Sequence, residues 1–69
     1  MKSTIKSRKL AAILESHGWQ GKRNSSSHIV YRHENFPKVL SFPLKSGGEE
    51  IRTGLLVKLE RLSGLKLRN

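Results

Sequence analysis

A chain of 69 residues suffices for one compact domain, residues 1–69, and is too short for two. Its apolar share is 35%, and those residues recur periodically, which argues against disorder. There is no cysteine, so neither a disulfide framework nor a thiolate metal site can support the core.

Fourteen Lys and Arg against five acids give a formal charge of +9 and a pI near 10.8. Such a surface concentrates polyanions and gains from counterion release when it binds phosphates. It points to nucleic acid or to an acidic protein, and charge alone does not choose between them. No apolar run approaches the ~18 residues of a membrane span. The basic N-terminus leads into an amphipathic stretch, unlike a secretory signal. A cytoplasmic protein with no membrane partner is expected.

Leu10, Ile13, Leu14 and His17 recur at i, i+3, i+4 and i+7, which predicts a first helix over residues 8–17. Ser3 or Ser7 is placed to cap it, and Gly18 to end it in the left-handed conformation. Residues 19–23 read as a short strand, and Asn24-Ser25-Ser26-Ser27 as a polar turn. His28-Ile29-Val30-Tyr31-Arg32-His33 is rich in β-branched and aromatic residues and reads as a second strand. A turn closes at Pro37, and residues 38–43 form a third strand. In it Leu40 and Phe42 share one face, Val39 and Ser41 the other. Pro43, with no N–H to donate, ends the pairing.

Two starts compete for a second helix carrying Ile51, Leu55, Leu56, Leu59 and Leu62. Ser46 and Glu49 have capping-box spacing, whereas Thr53 would cap a later start. Gly54 inside a helix costs about 1 kcal/mol relative to Ala, which favours the later one. Gly64 ends the helix, and residues 66–69 form a basic tail expected to fray. The fold class is α+β, a two-layer α-β-β-β-α sandwich. Its three-stranded antiparallel sheet has both helices on one face and its other face open.

Chemistry must come from few groups. His28 and His33 are five apart on a strand and so lie on opposite faces, and no cysteine or carboxylate pair completes a metal site. No metal and no cofactor is expected. His17 fits a packing or capping role near a helix C-terminus. No Gly-x-Ser-x-Gly elbow and no Asp is present to build a serine triad. His28 follows three serines where a loop meets the sheet, near the cations Lys22, Arg23 and Arg32. RNA cleavage needs a base for the 2′-OH proton and positive charge for the phosphate, and this cluster can supply both. On pattern alone, an ordinary surface histidine remains the simpler reading.

Ser26-Ser27-His28-Ile29-Val30-Tyr31-Arg32-His33 resembles the Gly-Ser-His-His-x-Tyr/Phe-x-His strand of HicA-like (YcfA-like) mRNA interferase toxins. The helix-Gly18-Trp19 junction, Arg23, Leu40-Ser41-Phe42-Pro43, Glu50-Ile51-Arg52-x-Gly54 and Ser63-Gly64-Leu65 follow the family in order and spacing, over about residues 6–65. Ser26 stands where the family has Gly, and Ile29 where it has a second His. The resemblance implies a fold similar to the double-stranded-RNA-binding domain and an endoribonuclease acting on mRNA. It makes His28 the catalytic histidine and Arg23 a frequent basic position of the family, and the charged surroundings of His28 add Lys22, Arg23 and Arg32 as contacts to the RNA backbone, Ser27 as shaping the turn and bonding a phosphate, and His33 as a phosphate contact. It also implies a HicB-type antitoxin, the toxin being monomeric when free and hetero-oligomeric when neutralised. A non-catalytic RNA-binding module of the same shape is the alternative.

Overall fold

A computed structural model describes residues 4–46 and 48–67, and each of its elements can be traced to local chemistry. A two-residue strand β1 (Ile5–Lys6) leads directly into helix α1 (Ser7–Ser16). Lys6 caps this helix in an extended conformation without a side-chain bond. The backbone N–H of Ser7 instead donates to the carbonyl of Glu49 at 2.8 Å, and its hydroxyl donates to the Glu49 carboxylate at 2.9 Å. A donor orphaned at the helix start is thus satisfied from a distant loop. Ser3, the other capping candidate, lies outside the described residues.

At the other end Gly18 has φ 89°. The N–H of Trp19 donates to Leu14 at 3.0 Å and that of Gly18 to Glu15 at 3.3 Å, the bonds of a Schellman motif. Trp19 and Leu14, whose contact usually accompanies that motif, are both buried. The helix therefore spans 7–16, one residue earlier than its periodicity suggests, with His17 as an exposed C-cap.

Strands β2 (Gln20–Arg23), β3 (His28–His33) and β4 (Phe36–Pro43) form an antiparallel meander in that order. Tyr31 lies opposite Gly21 on one side and Leu40 on the other, and Ile29 lies opposite Phe42. Residues paired in this way share a face. Tyr31, Leu40 and Phe42 thus join Leu10 and Leu14 of α1 in one core, together with Leu56 and Leu59 of helix α2 (Thr53–Ser63). Both helices cover the same sheet face, which makes a two-layer α+β sandwich.

Four details depart from the sequence reading. β4 begins at Phe36 rather than 38, and Pro37 is accommodated where the register shifts between Tyr31 and His33; a missing N–H is tolerated at such an irregularity. A second strand pair joins β1 to β5 (Glu50–Ile51), with Ile5 opposite Ile51. Thr53 is the first helical residue of α2 rather than its cap, which is Arg52. The Glu49 carboxylate still reaches back to the Ser46 N–H at 2.8 Å and the Lys45 N–H at 3.0 Å, forming half of a capping box in a loop. Finally, Leu67 does not belong to a frayed tail. It is 5% exposed, and its N–H donates to the Glu60 carboxylate at 2.7 Å. Arg68 and Asn69 lie outside the described residues.

One close approach fixes the sheet. A Cβ on Gly21 would lie 2.6 Å from the Tyr31 ring, so the strand needs glycine there for space. The Tyr31 hydroxyl donates to Glu15 on α1 at 2.7 Å. Burial first, then the bond to Glu15 and its negative charge, push the phenol well above its ordinary range, with Arg23 opposing weakly. Replacing Gly21 by Ala should lower stability by about 1–3 kcal/mol through overpacking, read by urea denaturation. A change below about 0.5 kcal/mol would mean that the ring yields easily. Because the folded-state pKa of Tyr31 is raised, its contribution is complete below about pH 10 and lost at higher pH. The stability difference between the parent and Tyr31→Phe should therefore be flat up to that pH and shrink beyond it.

Candidate nucleic-acid interface

With the odd-numbered side chains of β3 turned to the core, its even-numbered ones face outward. His28, Val30 and Arg32 therefore share the open face. The register adds Lys22 opposite Val30, Gln20 opposite Arg32, Ser41 opposite Val30, and Pro43 opposite His28. Lys22 is the diagonal neighbour of both His28 and Arg32, a separation of about 7–8 Å. All three are exposed. Three of the residues singled out in the sequence are thus brought onto one surface.

His28 opens β3, and its main chain is held on several sides. The N–H groups of Asn24 and Ser25 donate to its carbonyl at 3.1 and 3.3 Å, and Leu44 donates to Ser27 at 2.9 Å. The Ser27 hydroxyl lies 3.1 Å from Nδ1 of His28. Since each nitrogen of a neutral imidazole is either donor or acceptor, this contact couples the tautomer to the serine. When Nδ1–H donates to Ser27, Nε2 is left bare and able to accept a proton.

Arg23 and His33 are placed differently. Arg23 lies on the helix-bearing face, opposite Ile29, and donates to the carbonyls of Leu44 at 2.6 Å and Ser26 at 3.4 Å. It fastens the β2–β3 hairpin to the end of β4, and so supports the loop that carries Ser27 and His28. His33 is half-buried, with its ring 5.2 Å from Trp19 and 5.0 Å from Phe36. Its Nδ1 accepts from the Asn35 N–H at 3.0 Å, so Nε2 carries the proton and donates to the His17 carbonyl at 3.2 Å. Its contacts tie the β3–β4 turn to the end of α1. His17 caps that helix through Nδ1, 2.9 Å from the Ile13 carbonyl.

The sequence reading had set Ser41 on the face away from Leu40 and Phe42 but missed Gln20 as a member of the open face, because its place depends on the β2–β3 register. Among the described residues no three His, Cys, Asp or Glu side chains are grouped to hold a metal ion. No helix among the described residues is long and apolar enough to cross a membrane.

Residues 7–65 match the family model described as the HicA toxin of bacterial toxin-antitoxin systems. A solved structure titled "HicA3 and HicB3 toxin-antitoxin complex" contains a chain 28% identical to this one, with a TM-score of 0.73. The match covers 91% of this chain and 98% of that one. A comparison with curated proteins gives no match. With a helix–meander–helix core and a family match running across nearly all of it, the chain belongs to the HicA toxin family of bacterial toxin-antitoxin systems.

Proposed function

We propose that this toxin is an mRNA interferase, a metal-independent endoribonuclease in which His28 is the general base. The observation that carries this reading is the exposed His28 imidazole, with Nδ1 against Ser27, beside Lys22 on an open sheet face that also carries Arg32. In the tautomer with Nδ1–H donating to Ser27, Nε2 takes the proton of a ribose 2′-OH. The 2′-oxygen then forms a bond to the adjacent phosphorus, the P–O5′ bond breaks, and the departing 5′-oxygen takes a proton from water. Lys22, the diagonal neighbour of His28, holds the scissile phosphate and its developing charge, and Arg32, farther along β3, holds the RNA backbone. Arg23 acts through the hairpin it fastens, and His33 through the turn it anchors. No cofactor enters this scheme.

The two departures from the family's strand motif leave this site intact. Ile29 is opposite Phe42 and packs against the core, so its side chain belongs to the face that His28 does not use. Ser26 replaces a glycine, yet no described non-glycine residue has positive φ, so the turn does not demand glycine there. The natural partner under this reading is a HicB-type antitoxin, as in the complex of its solved relative, covering the basic open face in a hetero-oligomer. The free toxin is a monomer acting in the cytoplasm. A non-catalytic RNA-binding module would use the same cations and show salt-sensitive binding without fragments.

His28→Ala should abolish RNA cleavage and growth arrest while leaving the circular dichroism spectrum and unfolding midpoint unchanged. Toxicity equal to the parent's would exclude His28 as the base. Ser27→Ala should lower the cleavage rate about tenfold, a loss of about 1.4 kcal/mol, by releasing the tautomer. An unchanged rate would assign Ser27 to the turn alone.

A further inference from the structure

A second site lies at the far end of the open face. Four residues along β3 from His28, about 13 Å at strand rise, Arg32 borders a groove of about 430 Å³. Gln20, Glu34, Phe36, Pro37 and Val39 also line it. The register shift between Tyr31 and His33 opens β4 here, and such irregularities re-aim side chains at the margins of sheets. Val39, at 39% exposure, is the exposed large apolar side chain among the described residues. Pro37 is exposed as well, while Phe36 packs inward against Trp19 with ring centroids 5.1 Å apart. The groove therefore combines the exposed apolar surfaces of Pro37 and Val39 with an amide, a carboxylate and a guanidinium, and Gly18 and His33 close it on the side of α1.

We infer that this groove is a base-recognition subsite for single-stranded RNA, selecting a nucleobase that bears an amino group. The inference rests on the RNA-cleaving reading of the open face. Pro37 and Val39 offer apolar contact to the face of an unstacked base, and the groove volume accommodates one. The Glu34 carboxylate can only accept hydrogen bonds when ionised, so it favours an exocyclic amine, which cytosine, adenine and guanine carry and uracil lacks. Gln20 can both donate and accept at the base edge. Arg32 faces both the groove and the track that leads to His28, so it can hold the phosphate between the bound base and the cleaved bond. The net charge of +9 favours a polyanionic strand along this path. The spacing from His28 places the recognised base away from the cleaved nucleotide, so the groove would set where the toxin cuts without joining the chemistry.

The test uses the His28→Ala protein, which binds without cutting, titrated with tetranucleotides of adenine, cytosine or uracil and followed by amide NMR. The expected result is saturable shifts at residues 34–39, with adenine or cytosine bound at least about fivefold more tightly than uracil. Adding Glu34→Gln should narrow that preference to within about twofold and leave the salt dependence in place. Equal affinities, with shifts confined to the surroundings of Lys22, His28 and Arg32, would overturn the subsite while leaving the RNA reading intact. No shift with any of the RNAs at low salt would overturn both. Groove shifts produced by an acidic peptide and by no RNA would assign the groove to a protein partner and overturn the proposal.

Discussion

The placement of Tyr31 between β2 and β4 is the constraint on which the rest of the molecule depends. Its ring lies over Gly21, close enough that no side chain fits there, and stacks against Phe42 with centroids 5.6 Å apart. Its hydroxyl reaches Glu15, so one side chain ties the meander to α1. Because strand side chains alternate, burying Tyr31 commits Ile29 and His33 inward and His28, Val30 and Arg32 outward. A slip of one residue would turn the candidate base into the core. The core and the candidate site are therefore two consequences of one register.

The same economy appears in the loops. A domain this short has little apolar surface to bury, and polar bonds between distant segments supply part of its definition. Glu49 joins the start of α1 to the loop after β4, Arg23 joins the β2–β3 hairpin to that same loop, and Glu60 draws Leu67 into the core. Each satisfies backbone groups that an irregular segment would otherwise leave without partners. Glu15, Glu49 and Glu60 bind partners within the fold, while Lys22 and Arg32 remain on the open face. That division lets a chain of strongly positive charge fold and still present cations to a polyanion.

Much of this was legible in the amino-acid sequence because its signals were local. Gly18 and Gly64 both adopt the positive φ that ends a helix, and the alternation of Leu40 and Phe42 with Val39 and Ser41 identified the inner face of β4 correctly. What was not legible depended on distant partners. A pair of two-residue strands carries no periodicity, so the bridge between Ile5 and Ile51 left no trace. Leu67 looked like part of a basic tail because its core neighbours and the Glu60 carboxylate are contributed by folding. Strand alternation already set His33 on the face opposite His28, but the bonds of Arg23 to the Leu44 carbonyl and of His33 to the His17 carbonyl could not be read, because those partners lie 21 and 16 residues away. The groove at the β3–β4 irregularity was invisible for the same reason, since a register shift is a property of two strands.

The proposed reaction cleaves RNA at the open face through the 2′-hydroxyl, with His28 as the base and no metal. Its most direct measurement is the chemistry of the cut ends, made with purified toxin in the presence of a chelator. An RNA with a single cleavage position is compared with the same RNA carrying one 2′-deoxy sugar on the 5′ side of the cut bond. The mechanism predicts fragments ending in a 2′,3′-cyclic phosphate and no cleavage of the deoxy substrate. Cleavage that survives the deoxy substitution, or fragments bearing a 3′-hydroxyl, would contradict it.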